Sequence, residues 1–181
     1  MDRLVLWLRR HSPGTVVRLR GYWEWVAGLF GILPISATLS VRVFRPDGHI
    51  EDLGVVSTHV VSTAFVNALV DTLQASVAAF STYKYHDSGT GTTTEAAADT
   101  TLETPCAEAR DTGTQEEGTT SNIYKSVATH TYAGTFSITE HILANASSNG
   151  TIMDRSVFTA IVVTPGYKIE YTYQLTCTAG G

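Results

Sequence analysis

The chain is poor in charge, in cysteine and in proline. Asp, Glu, Lys and Arg make up 16% of its 181 residues, against about a quarter in ordinary soluble domains. Hydrophobic residues make up 43%, so simple disorder, which needs low hydropathy and high net charge, is excluded. Five prolines and fifteen glycines exclude collagen-like and proline-rich classes. The two cysteines, Cys106 and Cys177, allow one disulfide at most and form neither a dense framework nor a CxxC pair. Free thiols are the expectation. No apolar run reaches the ~20 residues of a membrane span. Residues 4–8 are too short for the core of a signal peptide and run into Arg9 and Arg10, and residues 26–35 are interrupted by Pro34.

What is present has the size of one domain, able to bury roughly 70% of its unfolded surface. A surface so poor in charge must be rich in Thr and Ser or be covered by other subunits. The charge is unevenly placed. Residues 1–45 hold seven arginines (Arg3, Arg9, Arg10, Arg18, Arg20, Arg42, Arg45) against Asp2 and Glu24, a surplus of five; the total of −5 leaves −10 for the rest. Residues 1–37 therefore read as a basic, aromatic N-terminal arm on an acidic body of residues 38–181. Trp7, Arg9, Arg10, Arg18, Arg20, Trp23, Trp25 and Phe30 are its candidate partner-binding residues, because aromatic and arginine side chains dominate interface energetics. Nucleic acid is not the expected partner, since the acidic body repels phosphate and no binding motif accompanies the arginines. A membrane-surface role for the aromatic patch is the weaker reading.

The body reads as mainly β. Residues 38–44 alternate, with Leu39, Val41 and Val43 on one face. Pro46, Asp47 and Gly48 form a turn, and residues 49–56 return as a hairpin partner. Residues 62–80 predict an amphipathic helix, with Phe65, Val66, Leu69, Val70, Leu73, Val77 and Phe80 as one stripe and Ser62 or Thr63 as the cap. The helix is expected to cover one end of a sheet. Residues 87–118 carry no apolar period and predict ordered loops with short strands, anchored by residues 96–98, Leu102 and Cys106. From residue 122 onward four strands are separated by turns, and residues 167–177 alternate cleanly, with Ile169, Tyr171, Tyr173, Leu175 and Cys177 on one face. That pattern belongs to an antiparallel sheet wetted on one side. The expected fold is an antiparallel β-sandwich, jelly-roll-like, with one helix and an extended arm.

Candidate chemistry is sparse. His86, Asp87 and Ser88 precede Gly89 as in some serine hydrolases, but a triad requires convergence in space, and Asp-Ser-Gly is above all a turn sequence. Gly89-Thr90-Gly91 lacks the GK[ST] ending of a phosphate loop. The six histidines (His11, His49, His59, His86, His130, His141) show no zinc-ligand spacing. His86, Asp87, Glu95 and Asp99 are oxygen-rich without calcium-loop spacing. Glu140 and Arg155 flank the turn at residues 145–150 and predict a register-fixing pair across a hairpin. Asn145 and Asn149 head glycosylation-type triplets that read as polar turn residues. Neither catalysis nor any cofactor or metal is expected.

Four stretches taken in order carry a resemblance: TAFVNALVDTLQAS (63–76), KYHDSGTGTTTEAAADTTLETP (84–105), ARDTGTQEEG (109–118) and ITEHILANASSNGTIMDRSVF (138–158). Together they resemble small structural proteins of tailed bacteriophages, over residues 50–181. The last stretch is similar to a β-hairpin of phage tail-fibre and virion accessory proteins, with Ile142 and Leu143 where such hairpins often carry glycine and phenylalanine. The resemblance implies a virion component without catalytic residues. Its partner would be the phage major capsid protein or another virion protein. A capsid decoration protein, a homo-oligomer (trimer or dimer) gripping the shell through its arm, is the leading expectation. The alternative is a tail, connector or fibre-associated protein that binds a receptor or glycan through residues 87–118 with Tyr83, Tyr85 or Tyr132.

Overall fold

A computed structural model describes residues 35–58, 60–73 and 80–178. In chain order the elements are β1 (Ile35–Phe44), β2 (Ile50–Thr58), β3 (Val60–Val61), α1 (Thr63–Leu73), β4 (Tyr85–Gly89), β5 (Asp111–Thr112), β6 (Thr114–Glu117), β7 (Ile123–Thr131), β8 (Phe136–Ala144), β9 (Ile152–Val163) and β10 (Lys168–Cys177). They form two antiparallel five-stranded sheets, ordered β2-β1-β10-β7-β6 and β3-β9-β8-β4-β5. Among the described residues the fold is the mainly β, sandwich-like arrangement with one helix that the alternation predicts. First and last strands lie side by side in one sheet, and β3 lies beside β9 in the other.

In the first sheet the alternation is faithful. Ala37, Leu39, Val41 and Val43 of β1 and Ile169, Tyr171, Tyr173 and Leu175 of β10 are buried, while the residues between them are half-buried. On the wet face Arg42 donates to its register partner Glu170 at 3.0 Å. β1 begins at Ile35, ahead of the predicted residue 38, because β10 runs on to Cys177 and offers partners to Ile35, Ser36 and Ala37. Residues 1–34 lie outside the described residues, and with them Trp7, Arg9, Arg10, Arg18, Arg20, Trp23, Trp25 and Phe30.

The second sheet departs from the one-wet-face pattern. β8 from Ile138 to Ala144 and β9 from Ile152 to Phe158 are buried without interruption. Residues 90–110 fold across the outer face of this sheet as a third layer. There Leu102 packs with Ile142, Ala144 and Ile152, and Tyr85 borders them. Of the anticipated anchors, Leu102 and Cys106 are buried, whereas Ala96, Ala97 and Ala98 are exposed.

Between the sheets lie two apolar clusters. One gathers Leu39, Val41, Val43, Ile138, Phe158, Val163 and Ile169. The other gathers Ala37, Phe65, Tyr83, Leu143, Met153, Tyr173 and Leu175. Each fully buried Leu or Ile contributes about 1.5–3 kcal/mol relative to exposure. Helix α1 closes the second cluster. Ser62 caps it, accepting from the Phe65 amide at 3.0 Å and donating to the Ile152 carbonyl at 2.7 Å. Only one side of the helix meets the sandwich, through Phe65 against Phe80 and Tyr83. The predicted stripe is wider than that contact, so Val66 and Val70 face outward. The described helix ends at Leu73, and Phe80 opens a separate 3-10 turn, Phe80–Thr82.

Candidate interaction surface

A strand points successive side chains to opposite faces, and this decides the fate of the His86-Asp87-Ser88 stretch. On β4, His86 and Ser88 point between the sheets and are buried, while Asp87 points outward to Arg110 at 3.1 Å. The three groups do not converge. The buried histidine instead joins two residues the sequence does not single out together. His86 Nε2 lies 2.8 Å from Ser126 Oγ, and His86 Nδ1 lies 3.0 Å from His141 Nε2. Serine, base and orienting group in a row resemble a nucleophilic arrangement. The row is sealed, however: Ser126, His86 and His141 are all buried. A Cβ on Gly113 would sit 2.5 Å from Ser126 Oγ and 2.8 Å from His86 Nε2, so no substrate atom fits beside the hydroxyl. Burial pushes His86 down to about 3, which keeps the ring neutral. A second chain runs from Ser88 Oγ to Tyr132 Oη at 2.8 Å and on to Tyr171 Oη at 2.7 Å. Burial raises both tyrosines above their ordinary value. Tyr171 also lies against the His141 ring, 4.6 Å between centroids. These groups satisfy one another inside the core.

The oxygen-rich residues are dispersed in the same way. Asp87 is held by Arg110, Asp99 by Arg155, and His86 faces the interior. Among the described residues no group of three or more His, Cys, Asp or Glu could hold a metal ion. The Glu140–Arg155 pair does form, Nε to Oε2 at 2.8 Å. It is diagonal, since Glu140 faces Val157 and Arg155 faces Ile142 in the register. Its role is wider than register. The Glu140 carboxylate also accepts from the amides of Gly91 (2.9 Å), Glu103 (3.0 Å) and Thr104 (2.8 Å). Arg155 continues to Asp99 at 3.1 Å and Glu103 at 3.4 Å. The glycine at 91 admits this hub, because a Cβ there would meet Glu140 Oε1 at 2.6 Å. The Gly89-Thr90-Gly91 stretch is therefore a cradle for a carboxylate of its own chain. Arg110 pins the far end of the covering layer, donating to the carbonyls of Ala146 (2.8 Å) and Asn149 (2.7 Å).

Two of the three tyrosines proposed as a glycan platform are inside the fold. Tyr83 and Tyr132 are buried, and Tyr85 is half-buried against Leu102's cluster. Cys106 is a buried free thiol pushed up to about 11 by burial, and Cys177 is an exposed free thiol.

Among the described residues, two recesses lie at opposite ends of the sandwich. One, about 380 Å³, lies where the edge strand β2 diverges from β9, lined by Val43, Leu53, Ala160, Ile161, Val162 and Tyr167 with Arg45 and Glu51 at its rim. Val162 is 63% exposed, and Ile50 and Leu53 are exposed nearby. Arg45 and Glu51 pair at 2.8 Å. Among the described residues β3 pairs with β9 at Asp154 and Arg155, at the far end of β9 from this recess. The other recess, about 370 Å³, is bounded by Glu116, Glu117, Ile123, Tyr124, Leu175 and Cys177. No helix among the described residues is long and apolar enough to cross a membrane. The chain matches no protein-family model, no curated protein and no solved structure.

Proposed function

We propose that this chain is a non-catalytic structural protein of a tailed-bacteriophage virion, a capsid decoration protein that grips the shell of major capsid protein. The β2–β9 recess is the contact its body makes, and the basic aromatic arm adds a second. The observation that carries this reading is a division of labour. The His86, His141 and Ser126 groups are sealed between the sheets, while Ile50, Leu53 and Val162 lie exposed in or beside one recess. Such a patch on a free monomer is a liability unless a neighbour covers it, and the low charge of the chain fits a surface partly covered by other subunits. Symmetric homo-oligomers, a trimer or dimer, are the usual way to supply that cover. The nested pairing of β1 with β10 and β3 with β9 supports a jelly-roll-like wrapping. The sequence resemblance to small virion proteins supports the same assignment.

Cryo-electron microscopy of a purified particle is the test. The expected result is many copies on the outer face of the shell, with residues 160–162 against a neighbour. Density only at the tail or fibre base would replace the decoration role by the tail-associated one, and absence from particles would end the virion reading.

A further inference from the structure

We infer that the recess bounded by β6, β7 and β10 is the docking site for the chain's own segment 22–30, which carries Tyr22, Trp23, Trp25 and Phe30. Three observations converge on it. The first is continuity. Ile35, where the described chain begins, is the register partner of Cys177, which lines the recess. Ile35 and Tyr124 are both half-buried at the margin of one apolar cluster, so the recess borders that cluster. The second is reach. Ile123 stands two strands from β1 and Glu117 three, about 10 and 14 Å at normal strand spacing. The four residues between Phe30 and Ile35 span up to ~14 Å when extended. The third is complementarity. Ile123, Tyr124 and Leu175 offer apolar lining beside Glu116 and Glu117, and the segment pairs aromatic rings with Arg18 and Arg20 just ahead of them. Glu116 already meets Lys125 at 2.9 Å, which leaves Glu117 as the carboxylate the arginines approach. A tether this short gives the segment an effective concentration that an arm from another copy does not match.

This inference concerns the free chain, before its arm engages any partner, and does not depend on its entering a virion. Its test uses two native reporters. All three tryptophans, Trp7, Trp23 and Trp25, precede residue 35, so tryptophan emission reports on the arm. Cys177 lines the recess and Cys106 is buried, so a thiol reagent such as DTNB reports on the recess. In the full-length chain Cys177 is expected to react at least about tenfold more slowly than in a Trp23→Ser/Trp25→Ser variant, as for a site that must open to react. A Glu117→Lys variant should speed the reaction and shift the tryptophan emission to the red. Circular dichroism melting of each variant controls for the fold of the body. Wild-type Cys177 reacting as fast as in the variants would overturn the proposal. Protection that appears only as protein concentration rises would overturn it too, because the occupant would then be the arm of a second copy.

Discussion

Arg155 donates from Nε to the Glu140 carboxylate at 2.8 Å, with both side chains buried under a layer of chain that has almost no regular structure. The carboxylate holds that layer in place, since three of its amides end on Glu140. Glu140→Ala leaves Arg155 buried without its closest partner and three amides without an acceptor. The expected cost is about 3–5 kcal/mol, read from the urea midpoint. Adding Arg155→Met should recover only part of it, because the amides stay unsatisfied. Hydrogen exchange over residues 91–104 should be fast in both variants. Slow exchange there would show that the layer is held by Leu102 and not by the carboxylate.

Acid stability should carry the mark of His86. Its ordinary value is 6.5, and burial lowers it to about 3 in the folded chain. Between those values the unfolded chain binds the extra proton. Stability is therefore full above about pH 6.5 and falls toward about pH 3, by up to ~1.4 kcal/mol per pH unit. Asp87, raised by burial against the pull of Arg110, works with the opposite sign near the carboxylate range. In urea melts across this window, His86→Gln should flatten the slope. An unchanged slope would assign the acid sensitivity to other groups.

The tyrosine chain separates packing from hydrogen bonding. Tyr171→Phe keeps the ring and leaves Tyr132 its Ser88 partner at 2.8 Å, so a loss of about 1 kcal/mol is expected. Tyr171→Asp places a charge in the same sealed position and should cost several kcal/mol. Equal melting temperatures for the two variants would mean that residue 171 is not buried.

Gly113 is tested by volume alone. A methyl group there meets Ser126 Oγ and His86 Nε2 inside ordinary contact distance. Gly113→Ala should therefore cost about 1–3 kcal/mol through overpacking. An unchanged thermal midpoint would mean that the interior beside His86 has slack, and the sealed description would fail.

The β2–β9 recess predicts the reverse pattern. Val162→Glu sits on an exposed position, so stability should move by no more than about 0.5 kcal/mol. Copy number in purified particles should fall. Full copy number with this variant would remove the recess from the interface.

Much of the sandwich was legible in the sequence because burial on one face enforces a period of two. Leu39, Val41 and Val43, and Ile169 through Leu175, announce their strands and their facing, and Pro46 to Gly48 announces a turn. The stretch Asp87-Ser88-Gly89, which reads as a turn, is instead part of strand β4, because β8 supplies it with ladder partners that no local pattern announces. Helix α1 was legible with its Ser62 cap, but its stripe did not tell which apolar residues would meet the sandwich, because the width of that contact belongs to the neighbour.

What only the tertiary structure decided is the covering layer. Residues 90–110 have no period, since their contacts are single charged and backbone groups reaching across tens of residues of chain. Glu140 and Arg155 are adjacent to the turn in sequence, and they do meet, but nothing local says that Gly91, Glu103 and Thr104 come to the same carboxylate. Alternation is a local property of a chain with one wet face and one dry face. Which stretch will dry the second face of a sheet depends on where distant segments are brought, and that is settled only when the chain closes.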